Sequence, residues 1–163
     1  MYGISELVMS FCQWASNSFF GHGVRNSPWL FPFVEIFHLV ALGLLGGTLL
    51  IVNLRLLGVR FQNGPVSELA REVQPLMVGS LVVILVSGFF LFSSEAVKMF
   101  GNGPFRIKMI FLVLAILYTF TIYKKVTMSD ESDISPAVRK LAAVLSLVLW
   151  FGVGLAGRAI GII

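Results

Sequence analysis

Four stretches of this chain are each long enough to cross a bilayer and too apolar to rest in water: residues 29–54, about 75–92, 104–123 and 138–163. A helix needs about 20 predominantly apolar residues to traverse a hydrocarbon core of about 30 Å, so four such runs use up most of a 163-residue chain. The expected fold is therefore all-α, a transmembrane four-helix bundle that forms one integral membrane domain over residues 1–163. Composition agrees, since 57% of the residues are hydrophobic and 12% charged, with a mean hydropathy of +0.91. The net charge of +4 is scattered between the spans. It reads as anchoring and orientation charge at a membrane surface, and no nucleic-acid partner is expected. A single cysteine, Cys12, excludes an intrachain disulfide.

The segments between the spans carry their own signals. In "ISELVMSFCQWASNSFF" the apolar residues Ile4, Leu7, Val8, Phe11, Trp14, Ala15 and Phe19 recur at helical spacing. This predicts an amphipathic helix in the bilayer interface, retained in the mature chain because neither a basic n-region nor a small-x-small cleavage site is present. Turn-rich "GHGVRNSP" leads into the first span, with residues 1–28 forming the interfacial helix and loop. Residues 58–72 make a polar connection, Asn102-Gly103-Pro104 breaks one span and starts the next, and "SDESDISP" is a solvated acidic loop. Arg55, Arg60, Arg71, Lys124, Lys125, Arg139 and Lys140 fall on one side, and Arg25, Lys98, Arg106, Lys108 and Arg158 on the other. That bias places both termini outside the cytoplasm, in the periplasm if the membrane is a bacterial inner membrane.

Polar residues inside the spans are the informative ones, because a charge at the bilayer centre costs about 2.5–3.5 kcal/mol on insertion scales. Counting ~1.5 Å per residue from the expected helix ends, Glu35 lies roughly 9 Å, His38 roughly 13 Å, Lys108 roughly 6 Å and Arg158 roughly 7 Å below the surface that carries the termini. Antiparallel alternation alone brings all four to one leaflet. They are expected to face the bundle interior and one another.

Glu35 and His38 form Glu-x-x-His, half of the signature of carboxylate-bridged di-metal bundles. The other half would need a second Glu-x-x-His and two more carboxylates. With only His22 and His38 in the chain, one subunit cannot build that centre. A b-type haem asks for less: one membrane-embedded histidine supplies an axial ligand while Gly43, Gly46 and Gly47 make room for the macrocycle. His22, Lys108, Met77 or Met109 could supply a second ligand, or the iron could stay five-coordinate, with Glu35 orienting His38 or taking a redox-linked proton. Packing is the competing explanation. Gly43-x-x-x-Gly47 and Gly157-x-x-x-Gly161 are spacings that let membrane helices approach closely and make a homo-oligomer an expectation. His38 could equally be a helix–helix hydrogen bond to Ser80, Ser87 or Glu35, and Lys108 and Arg158 could snorkel to nearby headgroups.

The runs "PWLFPFVEIFHLVALGLLGGTLLIVNLRLLG", "GPFRIKMIFLVLAILY" and "LWFGVGLAGRAIG" together resemble a family of small bacterial four-helix membrane proteins across nearly the whole chain. They are also distantly similar to the copper-resistance CopD type and to HemJ-like protoporphyrinogen oxidases. Those proteins carry an intramembrane histidine on an early helix and a lysine opening a later one. By that resemblance the histidine is His38, the lysine Lys108, and Arg55 is the arginine ending the first span. Phe105 stands near the place of an aromatic residue that HemJ-like proteins put before the lysine. The resemblance implies haem binding. The expectation is a haem b protein with a redox or electron-transfer role, a haem-dependent oxidoreductase if it is an enzyme, exchanging electrons with a quinone, a metal or a porphyrin. Its iron ligand would be His38, with His22 as a second candidate, and Glu35, Lys108 and Arg158 beside the cofactor. The alternative is a non-enzymatic oligomer, such as a copper or small-solute transporter or a subunit of a larger complex.

Overall fold

A computed structural model describes residues 2–18, 23, 26–59, 64–129 and 132–160, and these contain helices and no strand. Helix α1 spans Tyr2–Asn17, α2 Leu30–Leu56 and α3 Val66–Phe100. Helix α4 runs Gly103–Met128 with a π-helical turn at Thr119–Tyr123, and α5 spans Pro136–Ile160. Helices α2 to α5 are each long and apolar enough to cross a membrane. In their most apolar windows only 11 to 28% of the residues are buried inside the protein. Surfaces carrying Leu39, Val40, Ile110, Val148 and Leu155 are thus left for lipid.

Two of the spans are longer than the sequence pattern suggests. Helix α3 begins at Val66, inside what reads as a polar connection, and passes through Pro75 rather than starting there. Val66 and Ala70 are buried in the main core, with Val73 packed against it, while Glu68, Arg71 and Glu72 point outward. An amphipathic extension of this kind wins over local polarity because its apolar edge gains packing while its charges stay in water. At ~1.5 Å per residue its 35 residues reach about 52 Å, well beyond the hydrocarbon thickness. The far end departs from helical geometry at Glu95 (φ −132°, ψ 25°). Just before it, Ser93 donates to the Phe89 carbonyl and Ser94 to the Leu91 carbonyl, a pattern that bends helices. Asn102 caps α4 through Oδ1, which accepts from the Phe105 amide at 3.1 Å. Gly58, at φ 76°, closes α2 in the left-handed conformation.

Helix α1 docks on the end of α3, burying Cys12 and Ala15 against Ala96 and stacking Phe11 on Phe92 at 6.5 Å. Leu7 and Trp14 remain exposed, the apolar face an interfacial helix would turn to lipid. Burial pushes the Cys12 thiol up from its ordinary range. Alkylation of Cys12 should therefore reach half its maximal rate at a higher pH in the folded protein than in the chain unfolded in detergent; identical pH profiles would mean that α1 is not docked.

Helices α2 and α3 form one hairpin and α4 and α5 another; α2 meets α5, and the distal part of α4 meets α3, whereas α3 and the first part of α4 barely touch. Packing is accordingly lopsided. The main core gathers Leu45, Leu49, Val52, Leu56, Tyr123, Val126, Ala142 and Ala143 toward the end that carries the 57–65 and 129–135 connections, here called the loop end. Glu35 and Asn53 show the asymmetry on a single helix. Eighteen residues at ~100° each return to the same azimuth, so both lie on one flank of α2. Asn53 is wholly buried against α5, while Glu35, Leu42 and Gly46 on that flank are exposed. The two hairpins close on each other at the loop end and leave this flank of α2 open toward the other.

Candidate functional site

Two of the four sequence-derived candidates are half-buried at similar depths in the bundle. His38 is half-buried where α2 faces α3, and its Nδ1 lies 2.9 Å from Ser87 Oγ. Lys108 is half-buried where α4 faces α5, in contact with the position of Gly157. His38 lies eight residues into α2 and Lys108 five into α4, depths of about 12 and about 8 Å from the termini-side helix ends. Glu35 and Arg158 do not join them. Both are exposed, because the helix flanks that carry them are not covered by a neighbouring helix at this end. His22, Arg25 and Arg60 lie outside the described residues. Arg55 is a loop tether, its Nη2 donating to the Gly64 carbonyl at 2.5 Å. Met109 is exposed, and Met77 packs on the main core at the other end, so neither approaches His38.

Hydrogen-bond accounting determines the tautomer of His38. Ser87 has one proton, and its hydroxyl lies 2.5 Å from the Val83 carbonyl, with the Ile84 carbonyl at 3.4 Å. Both are acceptors only, so the hydroxyl donates within its own helix and must accept from the imidazole. Nδ1 then carries the hydrogen, and Nε2 keeps its lone pair. The Ile84 carbonyl, beside the same hydroxyl, is a further acceptor for the ring. Gly88 makes the close approach possible, since a Cβ there would stand 3.3 Å from His38 Cε1.

Lys108 has the opposite difficulty. No carboxylate among the described residues pairs with it; the ion pair found is Lys98 with Glu95, on the exposed end of α3. Nor does any group of three or more His, Cys, Asp or Glu residues assemble among the described residues.

A second polar cluster, not expected from the sequence, lies at the loop end. Asn53 Nδ2 donates to Ser146 Oγ at 3.2 Å, Tyr118 donates to the Ala142 carbonyl at 2.9 Å, and Trp150 Nε1 to Thr119 Oγ1 at 3.2 Å. Asn53 and Ser146 each stand alone in an apolar run, which was the available signal. The extra residue of the π turn was not visible, because nothing in "YTFTIYKK" distinguishes an i→i+5 turn from an ordinary one.

Fold and site together define a multi-pass membrane protein, a four-span helical bundle with a half-buried histidine and a half-buried lysine toward the end opposite the loop end. The chain belongs to the family described as a family of unknown function, DUF6644, which matches residues 11–163. No curated protein and no solved structure matches it.

Proposed function

We propose that this protein is a membrane-embedded b-type haem protein with a redox role, in which His38 Nε2 is the axial ligand. The observation that carries the reading is the Ser87–His38 hydrogen bond: it holds the ring through Nδ1 and presents the other nitrogen as a ligand, the arrangement by which metal-binding histidines are oriented. Two further features support it. Lys108 is a cation without a carboxylate partner among the described residues, in a medium where charge demands one, which suits a propionate. The flank of α2 around Gly46, where an added Cβ would meet nothing within 4 Å, offers the clearance a macrocycle needs. Gly43 and Gly47 are equally open. Haem would supply one-electron chemistry; His38 would bind and orient it, and Lys108 would balance its charge. The distant similarity to HemJ-like proteins points the same way, and a quinone or porphyrin is the electron partner this depth suits. The excess of Lys and Arg at the loop end supports an orientation with the termini, and the site near them, on the periplasmic side of a bacterial inner membrane.

The test is an optical spectrum of protein purified from haem-replete cells, oxidised and reduced. A Soret band with sharp reduced α and β bands is expected. Ser87→Ala should keep the band while weakening haem retention by about 10- to 100-fold, the usual effect of removing a partner of a liganding histidine. Colourless wild-type protein would overturn the proposal. That result would favour the second reading, an oligomeric membrane component without haem, which the uncovered Gly43/Gly47 face supports. Copper in the colourless sample would point to a transporter.

A further inference from the structure

The faces of α3 and α4 that meet at the loop end come apart toward the termini. At the loop end Gln74, Met77, Phe120 and Lys124 line a small cavity between the two helices. Farther along, α3 and the first part of α4 barely touch. The same helix faces continue down this gap. Leu85 stands eleven residues after Gln74, and Met109 eleven before Phe120 with Val113 between them. Eleven residues at ~100° each return to within about 20° of the starting azimuth. Leu85, Val113 and Met109 are all exposed. An apolar seam about 16 Å long therefore runs from the cavity toward the middle of the bilayer, the reach of an acyl chain in one leaflet of a core about 30 Å thick. No water is available at that depth, so lipid chain fills the seam.

The loop-end mouth of the seam is cationic. A helix of about 52 Å centred on about 30 Å of hydrocarbon protrudes about 11 Å, or about seven residues, at either end, which sets the loop-end boundary of α3 beside Val73. Gln74 then lies at the boundary and Arg71 just outside it, in the headgroup layer. Arg71 and Lys124 are both exposed and come from different hairpins. About 60° separates Arg71 from Gln74 on α3, whereas Glu68 and Glu72 lie about 120° and about 160° round from it. Neither Arg71 nor Lys124 has a carboxylate partner among the described residues.

We infer that the α3–α4 seam binds one anionic phospholipid, with its phosphate between Arg71 and Lys124 and an acyl chain laid over Leu85, Val113 and Met109. Charge and apolar surface together select this ligand. A zwitterionic headgroup brings an ammonium of its own into the field of two unpaired cations, whereas a headgroup with net negative charge does not. A free phosphate would answer the cations and leave the seam uncovered. The Gln74 amide, at the same boundary, is a further donor to a phosphate oxygen. Bound in this way, the lipid joins the two hairpins along the side where the protein itself leaves them apart. The site is independent of the haem reading, and its headgroup lies at the opposite end of the bundle from His38.

Native mass spectrometry of the intact protein, delipidated in detergent and titrated with phosphatidylglycerol or with phosphatidylcholine of the same chain length, tests this. The first phosphatidylglycerol should bind about 30-fold more tightly than the first phosphatidylcholine, the factor expected of two cations at a membrane surface. Equal binding of the two lipids by the wild-type protein would overturn the inference, and needs no variant to fold. Arg71→Gln combined with Lys124→Gln should abolish the preference and leave phosphatidylcholine binding as it was; both side chains are exposed, so the bundle should fold. Lys140→Gln, which removes an exposed loop-end cation on α5, should leave the preference intact. If Lys140→Gln abolishes it as fully as the double substitution, the attraction is a diffuse one of the loop-end charge and the site falls. Displacement of phosphatidylglycerol by millimolar inorganic phosphate would likewise overturn a lipid as the ligand.

Discussion

His38→Ala is expected to yield a folded, membrane-inserted protein that lacks the Soret band altogether, the largest spectroscopic change any single substitution in this chain should produce. The reason is stoichiometric. Among the described residues His38 is the one histidine, and the two methionines that could have replaced it are turned to lipid or packed at the other end. Folding should survive, because the ring is half-buried at the less densely packed end, and its removal costs one hydrogen bond, about 0.5–1.5 kcal/mol net. Lys108→Gln separates binding from tuning. It keeps the axial ligand, so the band should persist, while the midpoint potential falls as the positive charge that favours the reduced form is lost. Glu35→Gln should change neither band nor stability, since Glu35 is exposed and the hydrogen bond that holds the His38 ring comes from Ser87. A Soret band that survives His38→Ala would remove His38 as the ligand, and one that disappears in Glu35→Gln would restore the Glu-x-x-His pair as a unit.

The fate of that pair shows what a sequence of this kind reveals. Length and hydropathy suffice for four helices, because the bilayer demands an apolar run of definite length. Depth along the helices is also legible, since antiparallel spans and a constant rise bring His38 and Lys108 toward the same end of the bundle. Azimuth is not. Glu35 and His38 are about 60° apart on α2, and whether that angle keeps both inside depends on how far the second hairpin extends over the first. Asn53 and Glu35 occupy one flank with opposite burial, so a residue's angle on its own helix does not determine its exposure. Helix ends were obscured for a related reason: Val66–Gln74 looks polar in sequence, yet its apolar edge continues the core of α3 beyond Pro75. The glycines illustrate the same limit. Gly43, Gly46 and Gly47 attract notice by spacing but face open space, whereas Gly152 and Gly88, unremarkable in sequence, mark close approaches between helices.

Gly152→Val should be the most destabilising substitution in the bundle. A Cβ at Gly152 would stand 2.5 Å from Cδ1 and Cε1 of Phe111 and 3.1 Å from its Cγ. Rotating the ring about χ2 does not relieve a contact that includes Cγ, so either Phe111 changes χ1 or α5 moves away from α4. Overfilling a packed site typically costs about 1–3 kcal/mol, and close packing is a principal force between helices in lipid, where the hydrophobic effect contributes little. Thermal unfolding in detergent should show a marked fall in midpoint for Gly152→Val and almost none for Gly154→Val, since Gly154 has open space around it. Phe111→Ala combined with Gly152→Val should recover much of the loss, because the small residue has moved to the other side of the contact. Equal falls for Gly152→Val and Gly154→Val would mean that the change acts through local backbone effects and not through Phe111. The contact also bears on the site: Lys108 precedes Phe111 by one turn, and it rests against Gly157 on the same helix as Gly152. A wedge at Gly152 therefore displaces Lys108 relative to His38, and any haem that Gly152→Val retains should titrate at a shifted midpoint potential even though no ligand has been changed.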